Sequence, residues 1–305
     1  MAILIHPGFH KTGTTYLQEC VFTEHQGFAP LMSHREVHDL IVRPHDLQFD
    51  PESAKLLLDA KVAQAEHSST NVISSEILSG TMFAGSRDSA LIATRLSTIV
   101  PSAKILFTIR RQDSLLKSVY LQYVKRGGRK SAQEFLDFKP EPGFHWFDSG
   151  VLEFDLLVRH YARLFGDDNV LVLPQELLRQ DRGKFLAYLF AFCGSDADPS
   201  SATFAGTKGK SPPASGIPLM RFANAFRRTP LNPEGPGGLS LLGDSLISAA
   251  YRYNFGKTHA DRALTGTIDA KISGLYRESN RRLQKFVPVS LEDLGYEIAQ
   301  GDEHE

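Results

Sequence analysis

The residues best suited to chemistry lie in one short loop near the N-terminus. An apolar run that ends at His6 leads into the sequence P-G-F-H-K-T-G-T-T, in which a helix is predicted to begin at the threonines. A strand, a glycine-containing loop and a helix start direct backbone N–H groups and a helix dipole at one place. Lys11 adds a full positive charge there, and Thr14 and Thr15 add hydroxyl donors. The loop therefore predicts a bound phosphate or sulfate group.

This loop differs from the one that binds ATP or GTP in P-loop hydrolases, which requires G-x-x-x-x-G-K-[ST]. Gly8 and Gly13 have the required separation, but Thr14 stands at the lysine position and Lys11 lies two residues before the second glycine. No hydroxyl follows a lysine in the place that would hold Mg²⁺. The sequence therefore disfavours ordinary nucleotide hydrolysis and predicts an anion site without a metal.

A second group of candidate residues follows another apolar run. The segment K-I-L-F-T-I ends at Arg110, and Ser118 lies about two turns into the predicted helix that begins at Gln112. Ligands bind at the carboxyl ends of strands in open α/β sheets. A guanidinium fork matches two oxygens of a terminal phosphate. Arg110 is therefore predicted to bind a phosphate, whereas Arg111 is either a second contact or a surface charge.

These two segments together resemble the PAPS-dependent sulfotransferases, where PAPS is 3'-phosphoadenosine-5'-phosphosulfate. In that family K-[ST]-G-T-[ST] follows the first strand, and H-K-T-G-T-T-Y-L-Q is similar to it, especially to carbohydrate and bacterial members. The family's R-x-x-x-x-x-x-x-S-x-Y element has the spacing of Arg110, Ser118 and Tyr120. Many members carry Asn-Pro after the arginine, where this chain has Arg111-Gln112.

The resemblance implies roles for both segments. Lys11 would contact the 5'-phosphate and the oxygen that bridges to sulfur, and would stabilise charge on the leaving phosphate. The 3'-phosphate would be bound by Arg110 and Ser118. A later glycine-rich run would close over the nucleotide through Lys208, Gly209 and Lys210, unless it is only a solvated loop. The 5'-phosphate would be held by the backbone and hydroxyl groups of Thr12, Gly13, Thr14 and Thr15.

Two residues are candidates for the base that takes the proton from the acceptor, and a third is a candidate for substrate contact. Glu76 ends a predicted strand and is the first choice, with a capping or surface role as the alternative. His10, inside the anion loop, is the competing base, or else it hydrogen-bonds the sulfate or is a packing residue. His145, beside Trp146, is a third side chain that would contact the substrate.

Composition limits what kind of protein this is. The chain has 305 residues, is 42% hydrophobic and 23% charged, and carries a formal net charge of -1. These values predict a globular protein without the basic field that nucleic-acid binding requires. Two distant cysteines, Cys20 and Cys193, predict buried thiols rather than a disulfide or zinc site. No apolar run is long enough to span a membrane, and no signal segment is recognisable, so we predict a cytoplasmic protein.

The apolar pattern predicts the fold. Short runs over residues 2–6, 71–75, 103–109 and 169–173 read as buried parallel strands. Amphipathic helices are predicted between them, including Gln112–Lys125, and a further helical pattern covers residues 268–286. This alternation predicts an α/β fold, a P-loop-like three-layer α/β/α sandwich with a central parallel sheet. We predict one sulfotransferase domain over residues 1–305, with an irregular Gly/Pro-rich cap around residues 206–238.

The sequence thus predicts a sulfotransferase that moves a sulfuryl group from PAPS to an acceptor hydroxyl or amine and releases 3'-phosphoadenosine-5'-phosphate (PAP). The acceptor is a small molecule, a glycan or a glycolipid, and the oligomeric state is left open. Two alternatives remain at this point. One is a Mg²⁺-dependent nucleotide phosphotransferase on the same fold, and the other is a non-catalytic nucleotide-binding relative.

Overall fold

The structure is a computed structural model. It describes residues 3–65, 70–144, 146–195, 212–233, 235–252 and 256–300. The strands are β1 (Ile3–His6), β2 (Phe28–Pro30), β3 (Thr70–Ser74), β4 (Lys104–Ile109) and β5 (Val170–Pro174). The α-helices are α1 (Thr14–Tyr16), α2 (His34–Val37), α3 (Pro51–Gln64), α4 (Ser89–Ile99), α5 (Gln112–Lys125), α6 (Ala132–Asp137), α7 (Phe154–Phe165), α8 (Gln175–Gln180), α9 (Arg182–Cys193), α10 (Ile217–Ala223), α11 (Ser240–Arg252), α12 (Lys257–Ile272) and α13 (Arg277–Leu283).

The chain divides into two compact units. The first comprises residues 1–111, 143–205 and 276–305, and the second comprises residues 112–142 and 206–275. None of the helices in the described ranges is long and apolar enough to cross a membrane. The prediction of one domain over the whole chain stays a prediction.

The first unit is built on a five-stranded parallel sheet in the order β2-β3-β1-β4-β5. In the centre of the sheet, Ile5 pairs with Ile73 on one side and with Ile105 on the other. Residues 105–109 of β4 are at most 1% exposed, as expected for a parallel strand covered on both faces. The predicted α/β fold around a central parallel sheet is therefore confirmed.

The strand order forms one particular crevice at the carboxyl edge of the sheet. From β1 the chain proceeds to β2 and β3 on one side of the sheet, whereas from β4 it proceeds to β5 on the other. Loops after neighbouring strands that lead in opposite directions diverge and leave a crevice at the carboxyl edge, where open α/β sheets bind ligands. In this chain that crevice lies between the ends of β1 and β4, which are followed by the two predicted anion-binding segments.

The second unit is helical where it is described. It contains α5, α6, α10, α11 and α12. Buried Asn224 joins parts of it by donating to the carbonyls of Val124 and Gly128, at 2.8 and 2.9 Å. Lys117 of α5 pairs with Asp261 of α12 at 2.8 Å. Within the predicted Gly/Pro-rich cap, the described residues form α10 and short 3₁₀ turns.

Candidate anion-binding site

The loop after β1 has a strained backbone, with three residues in the left-handed region. Gly8 and Gly13 adopt positive φ angles of 45° and 103°, and Lys11 adopts φ 67° without being a glycine. A left-handed non-glycine residue costs of the order of 1 kcal/mol and is found disproportionately at functional sites. Because Lys11 is exposed, this strain is not imposed by burying its side chain. The backbone is therefore held by the rest of the loop.

The loop leaves a row of donors for a ligand. Thr14–Tyr16 and the following π-helical turn, Leu17–Val21, form one continuous helix that starts after Gly13. Within the part of the chain that the structure describes, the N–H groups of Thr12, Gly13, Thr14 and Thr15 donate to no other group. Such orphan donors at a helix start bind anions well.

One side chain adds to this row. The Thr14 hydroxyl is buried and has no hydrogen-bond partner among the described residues. It faces Gly8, where an added Cβ would lie only 3.0 Å from the Thr14 Oγ1 atom. A buried donor without a partner is costly, so its presence fits a cradle completed by an anion.

Phe9 attaches the loop to the sheet and the core. Its N–H donates to the carbonyl of Thr108 at 3.1 Å. Its carbonyl accepts from the Thr12 hydroxyl at 2.5 Å. The Phe9 ring packs against Phe107 and Phe154, with centroids 5.4 and 4.6 Å away. The Thr12 hydroxyl therefore points inward, and only its backbone N–H is left for a ligand.

Beneath the loop lies a buried histidine that the sequence analysis did not identify. His6, at the end of β1, is fully buried; its Nδ1 lies 2.8 Å from Ser74 Oγ and its Nε2 lies 3.2 Å from Thr108 Oγ1. Burial lowers the pKa of His6 to about 3, so the imidazole is neutral at physiological pH. The sequence signal was a polar residue ending an otherwise apolar strand, I-L-I-H.

The low pKa of His6 makes stability depend on pH in a defined direction. Between pH 6.5 and about 3 the unfolded chain binds a proton at this residue and the folded chain does not, so stability falls as pH falls. We expect His6 to lower the free energy of unfolding by about 2 kcal/mol when the pH falls from 7 to 5. Urea unfolding at both pH values measures it. Over the same pH interval, the free energy of unfolding should fall by about 2 kcal/mol less in His6→Gln than in the wild type. Equal falls in both proteins would contradict the prediction.

Gly8 cannot carry a side chain without disturbing this arrangement. An added Cβ would lie 2.7 Å from His6 Nε2, a contact shorter than real Cβ atoms make. Together with its left-handed backbone, this predicts that Gly8→Ala destabilises the protein by about 2–4 kcal/mol. Gly27→Ala is the matched control, since Gly27 has φ 73° and no described atom within 4 Å of an added Cβ.

The free energy of unfolding of Gly27→Ala should fall by only about 1–2 kcal/mol, the cost of an alanine in the left-handed conformation. Urea unfolding of the two variants separates backbone strain from the contact with His6. A loss as small in Gly8→Ala as in Gly27→Ala would show that the loop yields to the methyl group.

The two candidate bases both lie near the carboxyl edge of the sheet, by the turn that follows β3. Glu76 begins the 3₁₀ turn Glu76–Ser79, which is separated from β3 by Ser75, and is half-buried. No cation in the described ranges pairs with its carboxylate. His10 reaches across from the anion loop, and its Nε2 donates to the carbonyl of Gly80 at 2.9 Å. The Tyr161 hydroxyl fixes the same turn by donating to the carbonyl of Leu78 at 3.0 Å.

The turn after β4 is fixed by a carboxylate from helix α8, which follows the neighbouring strand β5. The N–H of Arg111 donates to Glu176 Oε1 at 3.1 Å, and the Tyr296 hydroxyl donates to Glu176 Oε2 at 2.8 Å. Because Arg110 precedes the clamped residue, Glu176 restricts the direction in which the Arg110 backbone leaves the sheet. Arg111 also lies against Gly295, where a Cβ would come within 2.8 Å of Arg111 Nη1.

The sequence-predicted residues divide into three groups. The first, at the carboxyl ends of the adjacent strands β3, β1 and β4, contains His10, Lys11, Thr12, Gly13, Thr14, Thr15, Glu76 and Arg110. Ser118 lies on α5, in the second unit. Lys208, Gly209, Lys210 and His145, which the sequence also predicts to belong to the site, lie outside the described residues. Beyond His6, sequence reasoning also missed Gln175, whose Nε2 lies 3.2 Å from an added Gly13 Cβ.

Comparison with known proteins finds similar solved structures but no similar sequence family. No protein-family model and no curated protein matches the chain. Among solved structures, it is similar to a sulfotransferase from Alicyclobacillus acidocaldarius, with a TM-score of 0.50 and 16% identity over 84% of this chain and 98% of that one. It also matches the sulfotransferase domain of the Synechococcus PCC 7002 olefin synthase, at 16% identity over 83% and 95% of the two chains, with a TM-score of 0.37.

A third match is mouse sulfotransferase SULT7A1 complexed with PAP, at 14% identity over 86% and 88% of the chains, with a TM-score of 0.39. At these identities the likeness concerns the fold. The chain has a sulfotransferase-like α/β fold.

Proposed function

We propose that this chain, on its sulfotransferase-like fold, transfers a sulfuryl group from PAPS to a hydroxyl or amine acceptor. The observation that carries the proposal is the loop after β1. Four consecutive N–H groups, from Thr12 to Thr15, have no partner among the described residues, and the buried Thr14 hydroxyl lies beside them. These donors fit a 5'-phosphosulfate, and Lys11 stands in the same loop.

Lys11 is the group proposed to act on the leaving phosphate. In the transfer, the acceptor atom bonds to sulfur as the bond from sulfur to the bridging oxygen breaks, and that electron pair stays on the 5'-phosphate. An ammonium group at the bridging oxygen stabilises this charge more in the transition state than in the ground state. The N–H groups of residues 12–15 hold the phosphate in place while the bond breaks.

Arg110 is proposed to bind the 3'-phosphate, the group that distinguishes PAPS from other adenine nucleotides. It follows β4 at the crevice beside β1, and Glu176 holds the turn in which it stands. Ser118 is proposed to contribute a hydroxyl to the same phosphate. Lys208, Gly209 and Lys210 are proposed to close over the nucleotide on the strength of the sequence resemblance.

Glu76 is proposed as the base that takes the acceptor's proton. Its carboxylate is half-buried at the end of β3, next to the strand that carries the anion loop. His10 is the rival, because its bond to Gly80 places it against the same turn. The acceptor is proposed to be a small molecule or glycan that carries a free hydroxyl or amine.

The experiment that tests the nucleotide class is calorimetric titration with PAP in the absence of magnesium. We expect micromolar binding by the wild type and about 100-fold weaker binding by Arg110→Ala, since a desolvated phosphate loses its charged partner. Arg43→Ala is the control, because Arg43 is an exposed arginine that pairs with Asp39; its affinity should not change.

Binding of PAP would then justify screening hydroxyl and amine acceptors with labelled PAPS. If PAP does not bind, while ATP or GTP binds tightly with magnesium, the sulfotransferase proposal fails and a phosphotransferase replaces it. If PAP binds tightly but no acceptor in a broad screen is sulfated, the chain is a non-catalytic nucleotide-binding protein.

A further inference from the structure

The hydrogen bonds beneath the anion loop can be assigned a direction. The Phe9 carbonyl can only accept, so the Thr12 hydroxyl donates to it at 2.5 Å. A hydroxyl has one hydrogen, so the contact of 2.7 Å between Thr12 and Thr108 must have Thr108 as its donor. The Thr108 hydrogen is then used, and the contact of 3.2 Å with His6 requires a hydrogen on His6 Nε2.

The other half of the chain of bonds follows from the same counting. A neutral imidazole protonated at Nε2 has a lone pair on Nδ1, so the Ser74 hydroxyl donates to Nδ1 at 2.8 Å. The Ser74 oxygen is left to accept, and the amide of Gln18 donates to it at 3.2 Å and to the Ser74 carbonyl at 2.9 Å. Each of the three hydroxyls in this chain of hydrogen bonds thus donates once and accepts once.

We propose that His6 is a positioning residue for the anion-binding loop, and that it acts as one fixed tautomer within this one-directional chain of hydrogen bonds. The chain of hydrogen bonds starts at Gln18, in the helix that follows the loop, and ends at the carbonyl of Phe9, inside the loop. Between them it crosses the ends of β3, β1 and β4. The loop and the start of its helix are therefore tied to three strands at once.

The surroundings of His6 favour a single neutral tautomer of its ring. Its ring is in edge contact with Phe22, with centroids 5.4 Å apart, and its Nε2 faces Gly8. The residue is 0% exposed, so its ring is shielded from bulk solvent. A proton on Nδ1 would face the Ser74 hydroxyl and reverse its bond, leaving the Ser74 hydrogen without the acceptor it has now.

The tautomer can be read directly by ¹⁵N NMR of the histidine rings in the wild-type protein, with His6 assigned by the resonances missing from His6→Gln. We expect a neutral ring protonated at Nε2 whose shifts do not change between pH 8 and pH 5. A ring protonated at Nδ1, or one that titrates near pH 6.5, would overturn the proposal. This measurement needs no ligand and does not depend on the proposed function.

The positioning role is tested by two substitutions at Thr108. Thr108→Val keeps the volume and removes the hydroxyl, and Thr108→Ser keeps the hydroxyl and removes a methyl group. For the functional readout, which rests on the proposed binding of PAP, we expect about tenfold weaker affinity in Thr108→Val and wild-type affinity in Thr108→Ser. A role in packing alone predicts the opposite ranking, with the valine variant the better binder.

The two proposals can fail separately. In both variants the backbone amide shifts of Thr12 and Gly13 report the loop's conformation without a nucleotide. They should move in Thr108→Val and stay in Thr108→Ser. If the wild type does not bind PAP but the shifts follow this ranking, the proposed function fails and the positioning role stands. If PAP binds equally to both variants and the shifts do not move, the positioning role fails and the proposed function stands.

Discussion

Glu76→Gln should lower kcat for sulfuryl transfer by about 10²- to 10⁴-fold and leave the affinity for PAP unchanged. General-base assistance contributes rate of this size, and glutamine keeps the shape of the side chain without the ability to take a proton. Glu76 stands at the end of β3 rather than in the anion loop, so nucleotide binding should not require its charge. Single-turnover rates with labelled PAPS, together with calorimetric titration of PAP, separate the two quantities.

His10→Gln is the informative companion to this variant. His10 donates through Nε2 to the Gly80 carbonyl, and the glutamine amide can replace that donor. If Glu76 is the base, His10→Gln should keep most of kcat. A normal kcat in Glu76→Gln combined with a large loss in His10→Gln would transfer the role of the base to the histidine.

Lys11→Ala should lower kcat by about 10²- to 10³-fold, the cost of removing one donor aimed at charge that develops in a transition state. The affinity for PAP should fall by a smaller factor, since the N–H groups of residues 12–15 remain. Single-turnover kinetics at saturating PAPS measure the first effect and calorimetry the second. An unchanged kcat would contradict the proposed role of Lys11 on the leaving phosphate.

Lys11→Gly provides the control for backbone strain. Lys11 is left-handed, with φ 67°, and glycine adopts that conformation without the penalty that alanine carries. Both variants lack the charge, so both should lose kcat to the same extent. Urea unfolding should show the glycine variant to be more stable than the alanine variant by about 1 kcal/mol. Recovery of kcat in Lys11→Gly would mean that conformation, and not charge, limits the reaction.

Local patterns predicted the site's framework well. The bounds of α5, Gln112–Lys125, agree with the predicted helix, and β1, β3, β4 and β5 lie within one residue of the predicted runs at both ends. These segments are defined by apolar runs and by adjacent turn residues, so the sequence carries their signal locally. The anion loop was recognisable for the same reason, because its glycines, lysine and threonines are contiguous.

Features that depend on distant residues were not predicted. Strand β2 has three residues and ends in a proline, too short a pattern to stand out. The helical pattern predicted from Ile268 to Phe286 is interrupted after Ile272, and Gly274 adopts φ 78° in the gap. His6 could not be given a role because its two partners lie 68 and 102 residues away in sequence.

The bond between Phe9 and Thr108 also sets the order in which the site is made during synthesis. The loop is encoded within the first fifteen residues, but its anchors on β4 are translated more than ninety residues later. At about 5–20 residues per second, the loop waits about 5–20 s on the ribosome before it can take its shape. A nascent chain that ends before β4 therefore carries the motif without these anchors, and the loop lacks its contacts with β4 until that strand has paired with β1.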